Sequence, residues 1–161
     1  MKIILLSTPD FWPGEQETVK ELFDNGLSRF HLRKPKANKG QIEAWLSDIP
    51  LEDRSRIVLH QSWDLIHSEK LGGLHFPEWY RTGMQAEEWQ DWQNLAKEKK
   101  VALSTSVHDP AELSVIEGFD YVLLSPVFPS ISKPGYQSQQ RLSVDWEYPF
   151  DVYALGGVEA D

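Results

Sequence analysis

Short, continuously apolar runs alternate along this chain with segments whose apolar residues recur at helical spacing. The runs are Lys2–Leu6, Arg29–Leu32, Arg56–Leu59, Gly73–Phe76, Val101–Ser104, Tyr121–Leu124 and Val152–Leu155. A strand apolar on both faces must be covered on both sides, and joining parallel strands needs a crossover about as long as a helix. The alternation therefore specifies an α/β protein, a parallel sheet clad in helices. Between the runs, Glu15–Asn25 sets Val19, Leu22 and Phe23 on one face and stops at Gly26, which adopts the left-handed C′ conformation without strain. Gln41–Ile49 spaces Ile42, Trp45, Leu46 and Ile49 at i, i+3, i+4 and i+7. Asp64–Leu71, the highly charged Ala86–Lys99 and Asp109–Glu117 read as further helices, the last with an Asp N-cap and proline at N1. Trp45, Trp63, Trp89 and Trp92 fall in these segments and read as packing residues.

Two architectures share this alternation, an open doubly wound sheet and a (β/α)8 barrel. The glycine fingerprint of the first is absent after the first run, where Ser7-Thr-Pro-Asp-Phe-Trp-Pro-Gly14 stands. Polar residues instead crowd the carboxyl ends of many strands: His31 and Arg33, His60, His75, Ser106 and His108, Ser125, and Gly156-Gly157. In a barrel that end of the strands is the active-site rim. The pattern predicts one domain over residues 1–161, a (β/α)8 TIM-type barrel. Such barrels typically need about 200 residues or more, so the expectation is a barrel lacking its last β/α unit in this chain. Unpaired edges on the first and seventh strands would then invite a homodimer.

Composition narrows the function classes. A net charge of −9 argues against nucleic acid and anionic membranes as partners, since both need a positive field. No apolar run reaches the ~18 residues of a membrane span, and the N-terminal Met-Lys-Ile-Ile-Leu-Leu is too short for a signal peptide. The absence of cysteine excludes disulfides, thiolate metal sites and thiol nucleophiles. A cytoplasmic location is expected.

The stretch Phe119-Asp-Tyr-Val-Leu-Leu-Ser-Pro-Val-Phe-Pro-Ser-Ile-Ser-Lys-Pro-Gly-Tyr136 carries the strongest chemical signal. A buried strand opens into hydroxyls, a lysine and a glycine, as an anion-binding loop does. Ser130, Ser132 and Lys133 place two hydroxyls and a positive charge within four residues, while Pro126, Pro129 and Pro134 stiffen the segment.

Taken with His31-Leu-Arg33, Gly73-Leu-His-Phe76, Ser104-Thr-Ser-Val-His108, Glu112, Asp120-Tyr-Val and Ala154-Leu-Gly-Gly-Val158, this loop completes a set that resembles the thiamin-phosphate synthase and thiazole tautomerase (TenI-like) family. The order and spacing of the elements across almost the whole chain carry the resemblance; no single one does. It implies a thiazole phosphate as ligand, with a pyrimidine diphosphate as second substrate in the synthase branch. It places Arg33 and Lys133 on a pyrophosphate with Ser106 beside it, Ser130 and Ser132 on the thiazole side, and the amides around Gly156-Gly157 on the thiazole phosphate, where bare backbone approaches an anion closely.

The departures from the family pattern matter as much. The synthase glutamine position holds His31, and the expected lysine falls on Pro35, leaving Lys34 and Lys36 on either side and Lys34 as a phosphate-binding candidate. Asn-Asp-Arg after the third strand is replaced by His60-Gln61-Ser62, and the stretch after the fourth, Pro77-Glu-Trp-Tyr80, offers only Glu78. Both aspartates that bind Mg2+ in the synthases are thus missing, so no metal ligand is assigned and Mg2+ is expected only with synthase activity. The tautomerase branch needs no metal; it shifts a proton within a thiazole carboxylate phosphate. Histidine, whose unperturbed pKa lies near 6.5, suits that task, and the resemblance puts His108 there as the catalytic group together with Lys133. His31 and His60 are substrate-site candidates, whereas His75 reads as structural. The expectation therefore leans to a thiazole tautomerase, with thiamin-phosphate synthase as the alternative and a non-catalytic sensor of a thiamin precursor as a third reading.

Overall fold

The computed structural model describes residues 3–127 and 147–156. The chain divides into two compact units, one of residues 1–75 with 96–102, the other of residues 76–95 with 103–161.

In the first unit the order is β1 (Ile4–Leu6), α1 (Glu15–Asp24), β2 (Arg29–Leu32), α2 (Lys39–Ser47), α3 (Leu51–Arg54), β3 (Ile57–Leu59), a 3-10 turn (Trp63–His67) and the start of β4 (Gly73–Phe76). β1 pairs with β2, β2 with β3 and β3 with β4, all parallel. The core forms where apolar helix faces meet the strands: Val19 and Phe23 from α1, and Ile42, Trp45 and Leu46 from α2, are buried with Phe30, Leu32, Ile57 and Leu59. Trp45 stacks on Phe30 with ring centroids 5.7 Å apart. Each such side chain contributes about 1.5–3 kcal/mol by leaving water. α2 starts one residue after Asn38, which forms a capping box with Gln41 and satisfies two otherwise orphaned backbone donors.

The step into β4 is unusually tight. A Cβ on Gly72 would lie 2.2 Å from the Ser55 carbonyl oxygen, and one on Gly73 would lie 2.5 Å from that of Ala102. The backbone of Gly72 uses this closeness, donating to Ile57 O at 2.8 Å and accepting from Ala102 N at 3.0 Å.

The second unit carries α4 (Glu78–Gly83), most of α5 (Ala86–Lys99), β5 (Ala102–Val107) from its second residue, a 3-10 turn (Pro110–Ser114), β6 (Tyr121–Leu124) and β7 (Asp151–Ala154). β6 pairs in parallel with β5 on one side and β7 on the other, and its four residues are buried. Trp89 of α5 stacks on Phe119 at 4.6 Å.

Within each unit the strands lie side by side in chain order. That is the order of a β/α barrel, whereas a doubly wound sheet reverses direction at a switch point. The parallel α/β class is as the sequence indicated, and the arrangement is consistent with a TIM-type barrel. Five local readings differ. β5 runs on to Val107, so Ser106 lies inside the strand. The segments read as helices at Asp64–Leu71 and Asp109–Glu117 are single 3-10 turns. α3 and α4 begin directly after Pro50 and Pro77, which stand as their N-cap residues, in stretches too short to show periodicity.

Candidate functional site

The carboxyl ends of the strands in the first unit gather three histidines. His31 lies in β2 in register with Val58 of β3, and Val58 is in register with Gly73 of β4. His60 and His75 stand two residues beyond Val58 and Gly73. Because residues two apart share a strand face, all three imidazoles project from the same face. His31 Nδ1 and His60 Nε2 are 2.9 Å apart. The His60 and His75 rings stack at 4.0 Å, and His31 meets both edge-on. His31 and His75 are fully buried and His60 is half-buried.

Burial is the main reason these rings resist protonation. It pushes the His31 imidazole down to about 3, with the Arg29 charge adding to the effect. His60 and His75 are also held well below histidine's ordinary value, first by burial, then by the adjacent histidines (His75 and His31 for His60, His31 for His75) and the Arg33 guanidinium. The trio is therefore neutral at physiological pH. Arg33 itself is exposed, and its backbone is anchored by Ser7 Oγ, which accepts from Arg33 N at 2.8 Å and donates to Arg33 O at 3.0 Å.

Lys34 turns the other way. Its ammonium is buried and donates to Glu15 Oε1 at 2.6 Å, Asp10 O at 2.9 Å and Thr8 O at 3.0 Å. Those three bonds use its three N–H groups within the first unit, which differs from the phosphate contact expected from the sequence. Glu15, also buried, accepts a second bond from Trp45 Nε1 at 3.0 Å, so the charge pair is solvated by protein.

In the second unit His108 follows β5 directly and is exposed. Its Nδ1 forms a hydrogen bond with Glu78 Oε2 of α4. Beside it in that unit Glu112 takes Arg81 at 2.6 Å. Ser106 is half-buried within β5. Gly156, just past β7, has φ +91°, a conformation that favours glycine. Ser130, Ser132, Lys133 and Gly157 lie outside the described residues. A cleft of about 360 Å³ lined by Arg81, Met84, Trp89, Ile116 and Phe119 contains none of the residues nominated from sequence.

The sequence reading missed two associations. His75 joins His31 and His60, a convergence that depends on strand register. Glu78, weighed only as a metal ligand, partners His108 across 30 residues of chain.

The donors at these strand ends do not suit Mg2+, a hard cation that takes charged oxygens. After β3 stand His60, Gln61 and Ser62, and the Gln61 side chain is bound to the Lys34 backbone, with Oε1 accepting from Lys34 N at 3.3 Å. After β4 the Glu78 carboxylate is engaged by His108.

The chain matches the family model described as thiamine monophosphate synthase (TMP-TENI) over residues 11–161. No curated protein matches it. Among solved structures it is similar to the thiamine phosphate pyrophosphorylase from Bacteroides thetaiotaomicron, at 30% identity and a TM-score of 0.64, over 79% of this chain and 59% of that one. The chain thus spans 59% of the length of that relative.

Proposed function

This chain belongs to the thiamine monophosphate synthase family, and from that premise we propose that it binds a thiazole phosphate and moves a proton on the thiazole ring, with His108 as the acid–base group. The hydrogen bond between His108 and Glu78 carries this reading. With Nδ1 engaged by the carboxylate, Nε2 is the nitrogen left for substrate. When Nε2 takes a ring proton, the imidazolium that forms gains the Glu78 charge as partner, and the proton can be returned at a second ring position. An exposed base next to a carboxylate is suited to this traffic in a way that the buried, neutral trio of the first unit is not. For the phosphate, the family resemblance nominates Arg33, Ser106, Ser130, Ser132, Lys133 and the amides at Gly156-Gly157.

Conversion of the unaromatised thiazole carboxylate phosphate to its aromatic tautomer tests the reading. His108→Gln is expected to lower kcat by roughly 10²–10⁴-fold, with ligand binding retained. Unchanged turnover in a folded variant overturns the assignment, and a parent chain that binds the thiazole phosphate without converting it would point to a sensor.

The name of the solved relative favours a second reading, formation of thiamin phosphate from a pyrimidine diphosphate and a thiazole phosphate. Against it stands the lack of a magnesium-type donor set at the ends of β3 and β4. Turnover of both substrates with Mg2+ would establish the synthase; its absence from folded protein leaves the tautomerase against the sensor.

A further inference from the structure

His31, His60 and His75 are costly residues for a sheet interior. Each exchanges water for a packed, largely apolar setting, and valine or leucine would fill the same face without that loss. Instead three imidazoles converge, each offering a ring nitrogen, and these nitrogens all lie within 4.8 Å of one another. We propose that His31, His60 and His75 form a three-imidazole site for a divalent transition-metal ion of the zinc class, its fourth position left to an anion or a hydroxide.

The geometry supports this in three ways. A tetrahedral zinc ion with Zn–N bonds of about 2.0–2.1 Å holds its ligand nitrogens about 3.3 Å apart. The His31–His60 nitrogens, at 2.9 Å, are already close to that separation, and the third ligand has less than two ångströms to close. Second, the backbones are pinned. Ser7 N donates to His31 O at 3.0 Å, His60 N to Leu32 O at 3.2 Å, and Trp63 Nε1 to His75 O at 3.2 Å. Rigid strand positions hold ligands in place before the ion arrives. Third, His60 is the one member of the trio that is not fully buried.

The charge around the site favours an anionic fourth ligand. Arg29 acts on His31, and Arg33 on His60 and His75, so the local field is positive. A bare dication is opposed by that field, and an anionic fourth ligand offsets it. Nitrogen donors also separate this site from magnesium chemistry, because imidazole suits zinc, copper, nickel and iron, and carboxylate suits Mg2+. His108 plays no part in the site, so metal binding is read without reference to thiazole turnover.

Titration of the tag-free full chain with Co2+ is the test. The expected result is one equivalent bound with the intense visible absorption of a tetrahedral cobalt centre, displaced by Zn2+, and an unfolding midpoint higher by roughly 5–10 °C at a hundredfold excess over Kd. His60→Ala, the least buried of the three changes, should weaken binding by at least ~100-fold. His67→Ala, exposed and outside the cluster, should bind as the parent does. If His60→Ala fails to fold by circular dichroism, His60→Gln replaces it. A parent chain that gives no tetrahedral spectrum, or a folded His60 variant that binds cobalt as tightly as the parent, overturns the proposal.

Discussion

The two units treat polar side chains in opposite ways. In the first, His31, His75, Glu15 and Lys34 are buried and closed on neighbours. In the second, His108 and Glu78 meet where solvent reaches them. Burial fixes the charge state of a group: it holds the three imidazoles neutral and ties Lys34 to Glu15. Exposure beside a carboxylate leaves a histidine within reach of a ligand from solvent. The first arrangement suits holding something in place, and the second suits moving a proton.

Lys34→Ala breaks the comparison most directly. Removing one member of a buried pair leaves Glu15 charged and uncompensated, so the loss should be about 3–5 kcal/mol in urea unfolding. A loss below ~1 kcal/mol would mean that the pair is solvated like a surface one. Next comes the pH dependence of the imidazole trio. Their protonation is suppressed in the folded state, so between the unfolded value near 6.5 and the lower folded values the unfolded chain binds more protons. The stability is fully present above about pH 6.5 and falls on acidification, by up to ~1.4 kcal/mol per pH unit for each histidine, down to about pH 3 for His31. Urea midpoints at pH 7 and pH 5 measure this, and His31→Gln should flatten the slope; equal midpoints would show that the trio is hydrated. The smallest effect is expected at Glu78→Gln, with thiazole turnover down roughly tenfold and stability within ~0.5 kcal/mol. A large loss of stability there would place the second unit's pair with the structural groups of the first.

Much of the scaffold was readable in the sequence because apolar runs and helical spacing are local signals. Ala86–Lys99 begins and ends where its spacing indicated, and Gly73–Phe76 and Tyr121–Leu124 coincide with β4 and β6. The site was less legible. Arg33 and Lys34 are adjacent and equally basic in sequence, yet only Lys34 turns inward, because α1 brings Glu15 to meet it. His31 and His75 are each one residue before the end of their strand while His60 is one residue past its own, and only the pairing register shows that the three share a face. His108 was chosen by resemblance, while its partner lies in a helix too short to announce itself.

Gly72 and Gly73 draw these threads to one point. Each replaces a side chain with the carbonyl of a neighbouring segment, so the backbone itself acts as the spacer that sets the height of β4. His75 follows two residues later, and its reach toward His31 and His60 is inherited from that spacer. Even a methyl at either glycine would lift the strand and carry the imidazole out of line, so this dipeptide works as the alignment gauge of the cluster.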